Sequence, residues 1–306
     1  MKFVLVCIPC FFVGIESSQA RHKQAGLFLE KATKDLDVQN STKTNASCPL
    51  PGGAKWCTGI MNGKTRQVAV YSANDPVSNS ICASGSWEFA SVSQSGIHES
   101  GMDKTFLDIG ANIGWVSVVF ADAGYKVLAV EPMLANRQVL QATLCQNPDL
   151  TPKIEIVPVA LAQKPTQPGQ TCDVYSAEVN VGDGLLVCDG EEARRRDIVN
   201  NPHFRHVWRE AVSTMTLDQW MVGKGSPSVD VIKMDVEGYE CKVLEGASQT
   251  FNKPKYIIAE VRANTAPCVM SPLKAHGYVA RQHSFAGPPV PQHAQLTLTD
   301  IFFSRG

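Results

Sequence analysis

The segment Thr105-Phe-Leu-Asp-Ile-Gly-Ala-Asn-Ile-Gly114 constrains the fold of this chain more than any other. Phe106, Leu107 and Ile109 make a short apolar run, Gly110 and Gly114 bracket a turn, and Trp115 to Ala123 continues as a mostly apolar helical stretch. A strand that passes through a glycine turn into a helix N-terminus is the framework of a nucleotide pocket. The spacing is Gly110-x-x-x-Gly114 rather than the G-x-G-x-x-G of nicotinamide and flavin sites. Asp108 also sits where its carboxylate would repel a pyrophosphate. A ligand with a nucleoside, no phosphate and a cationic end suits this turn better, and S-adenosylmethionine has that chemistry.

Two more apolar strands end in acids. Tyr125-Lys-Val-Leu-Ala-Val-Glu131-Pro132 places Glu131 where an acid commonly binds ribose hydroxyls. Val229-Asp-Val-Ile-Lys-Met-Asp235-Val-Glu237-Gly238-Tyr-Glu240 ends in Asp235, with a second carboxylate two residues on. Ligands of open α/β sheets bind outside the carboxyl ends of the strands, so Asp108, Glu131 and Asp235 are expected to face one crevice. Lys233 shares a strand face with Asp235 and is expected to pair with it. Asp235, then Glu237, are the candidate catalytic residues: either takes or orients a hydroxyl proton, or the two hold a divalent metal. The choice between these stays open, and no residue is assigned as a metal ligand.

With these motifs in view, the chain resembles the FkbM-type methyltransferases. Asp108-Ile-Gly-Ala-Asn-Ile-Gly114, Val130-Glu131-Pro132, Val159-Ala160-Leu161, Thr216-Leu217-Asp218 and Ile232-Lys-Met-Asp235-Val-Glu237-Gly238 occur in that family's order and spacing. Pro254-Lys-Tyr-Ile-Ile-Ala-Glu260 is similar to its next strand, and the segment from Asp75 to Glu88 to its lead-in. The resemblance covers core motifs from 105 to 278. It implies an α/β, Rossmann-like class I methyltransferase fold, with a mostly parallel central sheet, helices on both faces and an antiparallel C-terminal strand. It further implies S-adenosyl-L-methionine as cofactor, bound by Asp108, Gly110, Ala111, Asn112, Gly114, Glu131, Pro132 and Ala160, with Ala160-Leu161-Ala162 facing the adenine. The expected reaction is O-methylation of a hydroxyl on a glycan or small metabolite. A secreted binding protein on the same fold and a nicotinamide-dependent oxidoreductase are the rival classes. The intact acids argue against the first and the glycine spacing against the second.

The 306 residues divide into a leader (1–20), an exposed N-terminal segment (21–63) and one catalytic domain (64–306). Lys2, the apolar run from Phe3 to Ile15 and Ser18-Gln19-Ala20 form a secretory signal peptide cleaved after Ala20. The run is too short to span a bilayer comfortably, so no stable span is expected after cleavage, although an uncleaved anchor is the alternative. The polar tether carries sequons at Asn40 and Asn45, which suits a glycoprotein of the secretory lumen. S-adenosylmethionine is made in the cytosol, so a luminal enzyme needs imported cofactor; a bipartite plastid leader is the other way to supply it.

Removing Cys7 and Cys10 with the leader leaves eight cysteines, an even number that suggests disulfides. Cys48–Cys57 and Cys172–Cys188 are the expected bridges, while Cys145 and Cys241 are expected as buried thiols on helices. A net charge of −1 and a pI near 6.6 give no basic field, which argues against a nucleic-acid substrate. Arg194-Arg-Arg196, with Arg205 and Arg209, is read as a solvated helix face; its sharper reading is recognition of an acidic glycan or phosphate. A helix is predicted over 135–146, a loop over 165–170, and a hairpin over 171–188 turning at Gly182-Asp-Gly184. An acceptor-selecting insertion is predicted over 191–210, and closing strands near Tyr278 and over 296–303.

Overall fold

A computed structural model of the chain describes residues 48–163, 170–251, 253–291 and 296–305. The leader, the tether with both sequons and most of the 165–170 loop lie outside the described residues. The folded unit begins at Cys48, so residues 48–63, expected in the exposed segment, belong to it. Strands β1 (Ala54–Met61) and β2 (Lys64–Tyr71) pair antiparallel. Their turn is Asn62-Gly63, both residues at positive φ, as a two-residue hairpin turn demands. Helix α1 (Pro76–Ser84) is capped by Asp75, whose Oδ1 accepts from the Ser78 amide at 2.8 Å.

The chain then alternates β3 (Thr105–Ile109), α2 (Trp115–Asp122), β4 (Lys126–Val130), α3 (Leu134–Gln146) and β5 (Ile154–Val157). As expected, α3 stops at Asn147, before a proline that disfavours helical backbone in the residue ahead of it. There follow β6 (Ala160–Leu161), β7 (Thr171–Ala177), β8 (Asn180–Cys188), α4 (Glu192–Val199) and β9 (His206–Met215). The rest comprises α5 (Leu217–Gly223), β10 (Val231–Met234), α6 (Glu240–Glu245), β11 (Tyr256–Val261), α7 (Ala266–Ala275), β12 (Val279–Gln282) and β13 (Thr299–Ser304).

The central sheet has the order β12-β13-β11-β10-β3-β4-β5. Strands β11, β10, β3, β4 and β5 run parallel, and β13 runs antiparallel to both of its neighbours. This is the mostly parallel α/β sheet with an antiparallel C-terminal strand that the resemblance implies. Because successive side chains leave opposite faces, each strand feeds two cores. Phe106, Val127, Val231, Ile258 and Phe302 pack with Val68, Val118 and Leu140 of the hairpin, α2 and α3. Leu107, Ile232, Met234, Ile257 and Phe303 pack with Trp220, Val243 and Leu273 of α5, α6 and α7.

A second sheet, ordered β6-β9-β7-β8, corrects one expectation. The hairpin turns at residues 178–179, since Ala177 pairs with Asn180, and Gly182 to Gly184 lie within β8. Gly182 is needed for close approach instead: a Cβ there would stand 2.8 Å from Asn112 Oδ1. Residues 191–210, the expected acceptor-selecting insertion, supply α4 and half of β9, a strand paired with β7.

Four disulfides join the described residues: Cys48–Cys145, Cys57–Cys82, Cys172–Cys188 and Cys241–Cys268. Cys172–Cys188 matches expectation, bridging register partners of the hairpin. Cys48–Cys57 does not form: Cys57 lies in β1, against which α1 packs, and bonds to Cys82 of α1. Cys145 and Cys241 are likewise bridged, because α3 meets the chain entry and α6 meets α7. Mapping of unreduced peptides should therefore recover Cys48–Cys145 and Cys57–Cys82 pairs and no Cys48–Cys57 pair. Cys145→Ser should cost roughly 2–5 kcal/mol in denaturant unfolding, because it opens a long covalent loop.

Candidate active site

The register of the sheet assembles the site. Ile109 pairs with Val130 on one side and with Met234 on the other, and Met234 pairs with Ala259. One residue further along, the row reads Glu131, Gly110, Asp235 and Glu260, and Glu260 pairs with Asp300 of β13. One residue before it, Asp108 and Lys233 are direct partners. Strand alternation puts both rows on the face covered by α2 and α3. They border a cavity of about 600 Å³, at the carboxyl ends of the strands where an open α/β sheet binds ligands.

The turn after β3 is fixed tightly. Gly110 and Gly114 both have positive φ. A Cβ on Gly110 would run into the carbonyl oxygen of Asp235, and one on Gly114 into Leu140. The Gly110 and Ala111 amides both donate to Val130 O at 3.0 Å. Asn112, also at positive φ, donates its amide to Glu131 Oε2 at 2.8 Å, and the Met133 amide donates to Glu131 Oε1 at 2.8 Å. The acid of β4 thus braces the loop of β3.

Asp108, Gly110, Ala111, Asn112, Glu131 and Pro132 all line the cavity. Gly114 does not; it shapes the turn as the residue preceding α2. Ala160 is fully buried in another cluster, and its neighbours Val159 and Leu161 face the cavity instead. Extended backbone alternates its side chains, so the flanking positions rather than Ala160 are presented.

Asp108 is 1% exposed. Ser117 Oγ donates to its Oδ2 at 2.6 Å, and its Oδ1 receives no hydrogen bond from the protein. Burial raises its pKa, against Lys233 and Ser117. Burial also pushes Glu131 up to about 7, against the Met133 and Asn112 amides. A buried acceptor without a donor and a second buried carboxylate fit a ligand that brings an amine or hydroxyls, which S-adenosylmethionine does.

At the other end of the cavity, Lys233 Nζ donates to Asp235 Oδ2 at 2.8 Å and lies 3.5 Å from Glu88 Oε1. The expected Lys233–Asp235 pair therefore forms. Burial opposes the Lys233 charge, yet Asp235, Glu88, Asp300 and Asp108 together hold its pKa well above the ordinary value. Glu237 bonds to Arg262 Nη2, and Arg262 Nε donates to Glu260 at 2.9 Å. One oxygen each from Asp235, Glu237 and Glu260 could converge within 4.8 Å, the spacing of a metal cluster. Those residues fit a divalent ion poorly, because the Arg262 guanidinium already supplies positive charge to two of them.

Sequence reasoning missed several of these groups. Glu88, Asp183, Asp300 and the pair Glu260 and Arg262 line the cavity from four separate stretches of the chain. Glu240 holds the loop after β10, its Oε1 accepting from the Gly238 amide at 3.0 Å. The Glu-Gly-Tyr-Glu spacing carries that signal; for the others, only the sheet register could have supplied one. The arginine cluster is neither solvated throughout nor turned on the cavity. Arg194 bonds Leu186 O at 2.7 Å and lies over Tyr239, and Arg195 pairs with Asp173 at 2.5 Å.

The chain matches the methyltransferase FkbM domain over residues 108–280. No curated protein matches it. Among solved structures, it is similar to the precorrin-6y C5,15-methyltransferase of Geobacter metallireducens GS-15 at 12% identity, with a TM-score of 0.37, 70% of this chain and 86% of that one covered. It is also similar to the 16S rRNA N2 G1207 methyltransferase of T. thermophilus, solved with AdoMet and guanosine, at 12% identity and a TM-score of 0.38. That match covers 84% of this chain and 52% of the other. A SAM-dependent methyltransferase of Agrobacterium tumefaciens matches at 11% identity and a TM-score of 0.38, with 83% and 70% covered.

Gly110→Ala should destabilise the fold by roughly 3 kcal/mol or more, because strained φ and a backbone clash coincide. The buried acids also set a pH dependence. Glu88, Glu131 and Glu260 each have a folded pKa of about 7 against an ordinary 4.5, with burial the leading cause. Their neutral forms favour folding fully below pH 4.5, and this stabilisation is lost as pH rises through 7. The ligand-free protein should therefore lose thermal stability across that window. Glu131→Gln should remove part of the slope, on the order of 3 kcal/mol.

Proposed function

The chain belongs to the FkbM methyltransferases, and from that premise we propose that it moves a methyl group from S-adenosylmethionine to a hydroxyl of a glycan or small metabolite in the secretory pathway. The observation that carries this reading is the row of strand-end acids around one cavity, with Asp108 Oδ1 buried and lacking a donor. In this reading Asp108 and Glu131 hold the cofactor's amine and ribose hydroxyls, while Gly110, Ala111, Asn112 and Pro132 form the wall beside it. When bound, the cofactor supplies a methyl group on a sulfonium, whose positive charge disappears on transfer.

The protein's task is to hold an oxygen nucleophile in line with that methyl and to take its proton. In this reading Asp235 does so. Lys233 binds its Oδ2, while its Oδ1 is buried and receives no hydrogen bond from the protein. The Lys233 hydrogen bond fixes the orientation of the Asp235 carboxyl. Glu237 is second, since Arg262 engages it and burial beside Asp183, Asp235 and Glu260 raises its pKa. The four disulfides support an oxidising compartment. Among the described residues, no helix is long and apolar enough to cross a membrane.

Transfer of a labelled methyl group from S-adenosylmethionine to a panel of hydroxyl acceptors tests the proposal. Asp235→Asn should lower kcat by about 10²–10⁴-fold with cofactor affinity nearly unchanged. Full activity in that variant would remove Asp235 from the mechanism.

A further inference from the structure

The acceptor end of the cavity gathers more carboxyls than cations. Glu88, Asp183, Asp235, Glu237, Glu260 and Asp300 line it against two cations, Lys233 and Arg262. These six acids come from β8, β11, β13, the loop after β10 and the segment before β3, so tertiary structure gathers them rather than one acidic run. Lys233 serves Asp235 and Glu88, and Arg262 serves Glu237 and Glu260. Among the described residues, Asp183 and Asp300 have no ion pair.

Three further observations point to a ligand. Asp183 Oδ1 and Asp235 Oδ1 are buried without a donor, and both residues line this end of the cavity. Glu88 and Glu237 sit at φ of 52° and 54°, a region that side chains larger than Asn rarely adopt. Strain of that kind is held where the surrounding structure forces it, and it clusters at ligand sites. Burial and mutual repulsion raise the pKa of Asp183 and Asp300, a cost that a bound positive charge relieves. Arg194 is engaged by the Leu186 and Glu237 carbonyls and Arg195 by Asp173, and none of the three arginines of α4 lines the cavity to receive an anion.

We propose that the methyl acceptor is cationic: a molecule with a protonated amine beside its nucleophilic hydroxyl, as in an amino sugar or amino alcohol, the amine seated by Asp183 and Glu237 and the hydroxyl at Asp235. This rests on the methyltransferase reading above and narrows its substrate class. Anionic sugars and phosphates are excluded by the same carboxyls.

Three two-carbon alcohols that differ in charge test it: 2-aminoethanol, ethane-1,2-diol and glycolate. Each is titrated by ligand-observed NMR into the mature protein saturated with S-adenosylhomocysteine, with and without a chelator. Aminoethanol should bind about tenfold or more tighter than the diol, and glycolate weakest of the three. The Asp183→Asn/Glu237→Gln double variant, still binding S-adenosylhomocysteine, should lose that preference. Equal binding, no binding by the amine, a preference unchanged in the double variant, or one abolished by the chelator would each overturn the proposal. Failure of the wild type to bind S-adenosylhomocysteine would instead sink the methyltransferase reading.

Discussion

The close approach of Gly110 to the carbonyl of Asp235 is the constraint on which the site depends. Strands β3 and β10 are direct neighbours, so the loops that leave them cross at the sheet's carboxyl edge with no room for a side chain between. That crossing brings the glycine loop after β3 and the candidate base within one cavity. It also fixes Asp108 beside Lys233 one residue below, and Glu131 and Glu260 on either side. A one-residue slip of β10 would send Lys233 and Asp235 to the opposite face, among Trp220 and Val243. Burial of Ile232 and Met234 in that core therefore protects the chemistry as much as the stability.

The cavity is an unfavourable place for so many carboxyls, and the rest of the fold compensates. Lys233 and Arg262 each bridge two acids. Strand β8 is held over the site by the Asp75 and Asn136 side chains, at 3.3 and 3.0 Å from the Gly182 backbone. Asn136 is in turn fixed by Tyr71 at 2.7 Å. Cys172–Cys188 closes the far end of that hairpin, and Cys241–Cys268 anchors α6 just after the Asp235–Glu237 loop. Buried acids are tolerated when surrounding structure is rigid enough to hold them, and here the bridges and the second sheet provide that rigidity.

Much of this was legible in the sequence because it is local. An apolar run ending in an acid, followed by glycine, identifies a strand and its loop, and three such runs sufficed to place Asp108, Glu131 and Asp235 together. The Lys233–Asp235 pair followed from the two-residue period of a strand. What escaped depends on pairing at a distance. Glu88 and Asp300 reach the site from opposite ends of the domain, and nothing in the residues beside them marks either as a site residue. Asp183, flanked by glycines, has the composition of a turn, and only the partnership of Ala177 with Asn180 moves it into a strand facing the cavity. Ala160 differs for a subtler reason: alternation along the segment turns Val159 and Leu161, rather than Ala160, to the cavity. The cysteine pairs were misread because contact between β1 and α1 decides them, rather than spacing along the chain.

The most direct measurement is a calorimetric titration of S-adenosylhomocysteine into the wild-type protein, Asp108→Ala and Glu131→Ala, each checked for folding. Binding on the order of micromolar in the wild type, weakened tenfold or more in both variants, is the expected result. A folded wild type that does not bind, or variants that bind as well as it does, would contradict the assignment of this strand-end cavity to the cofactor.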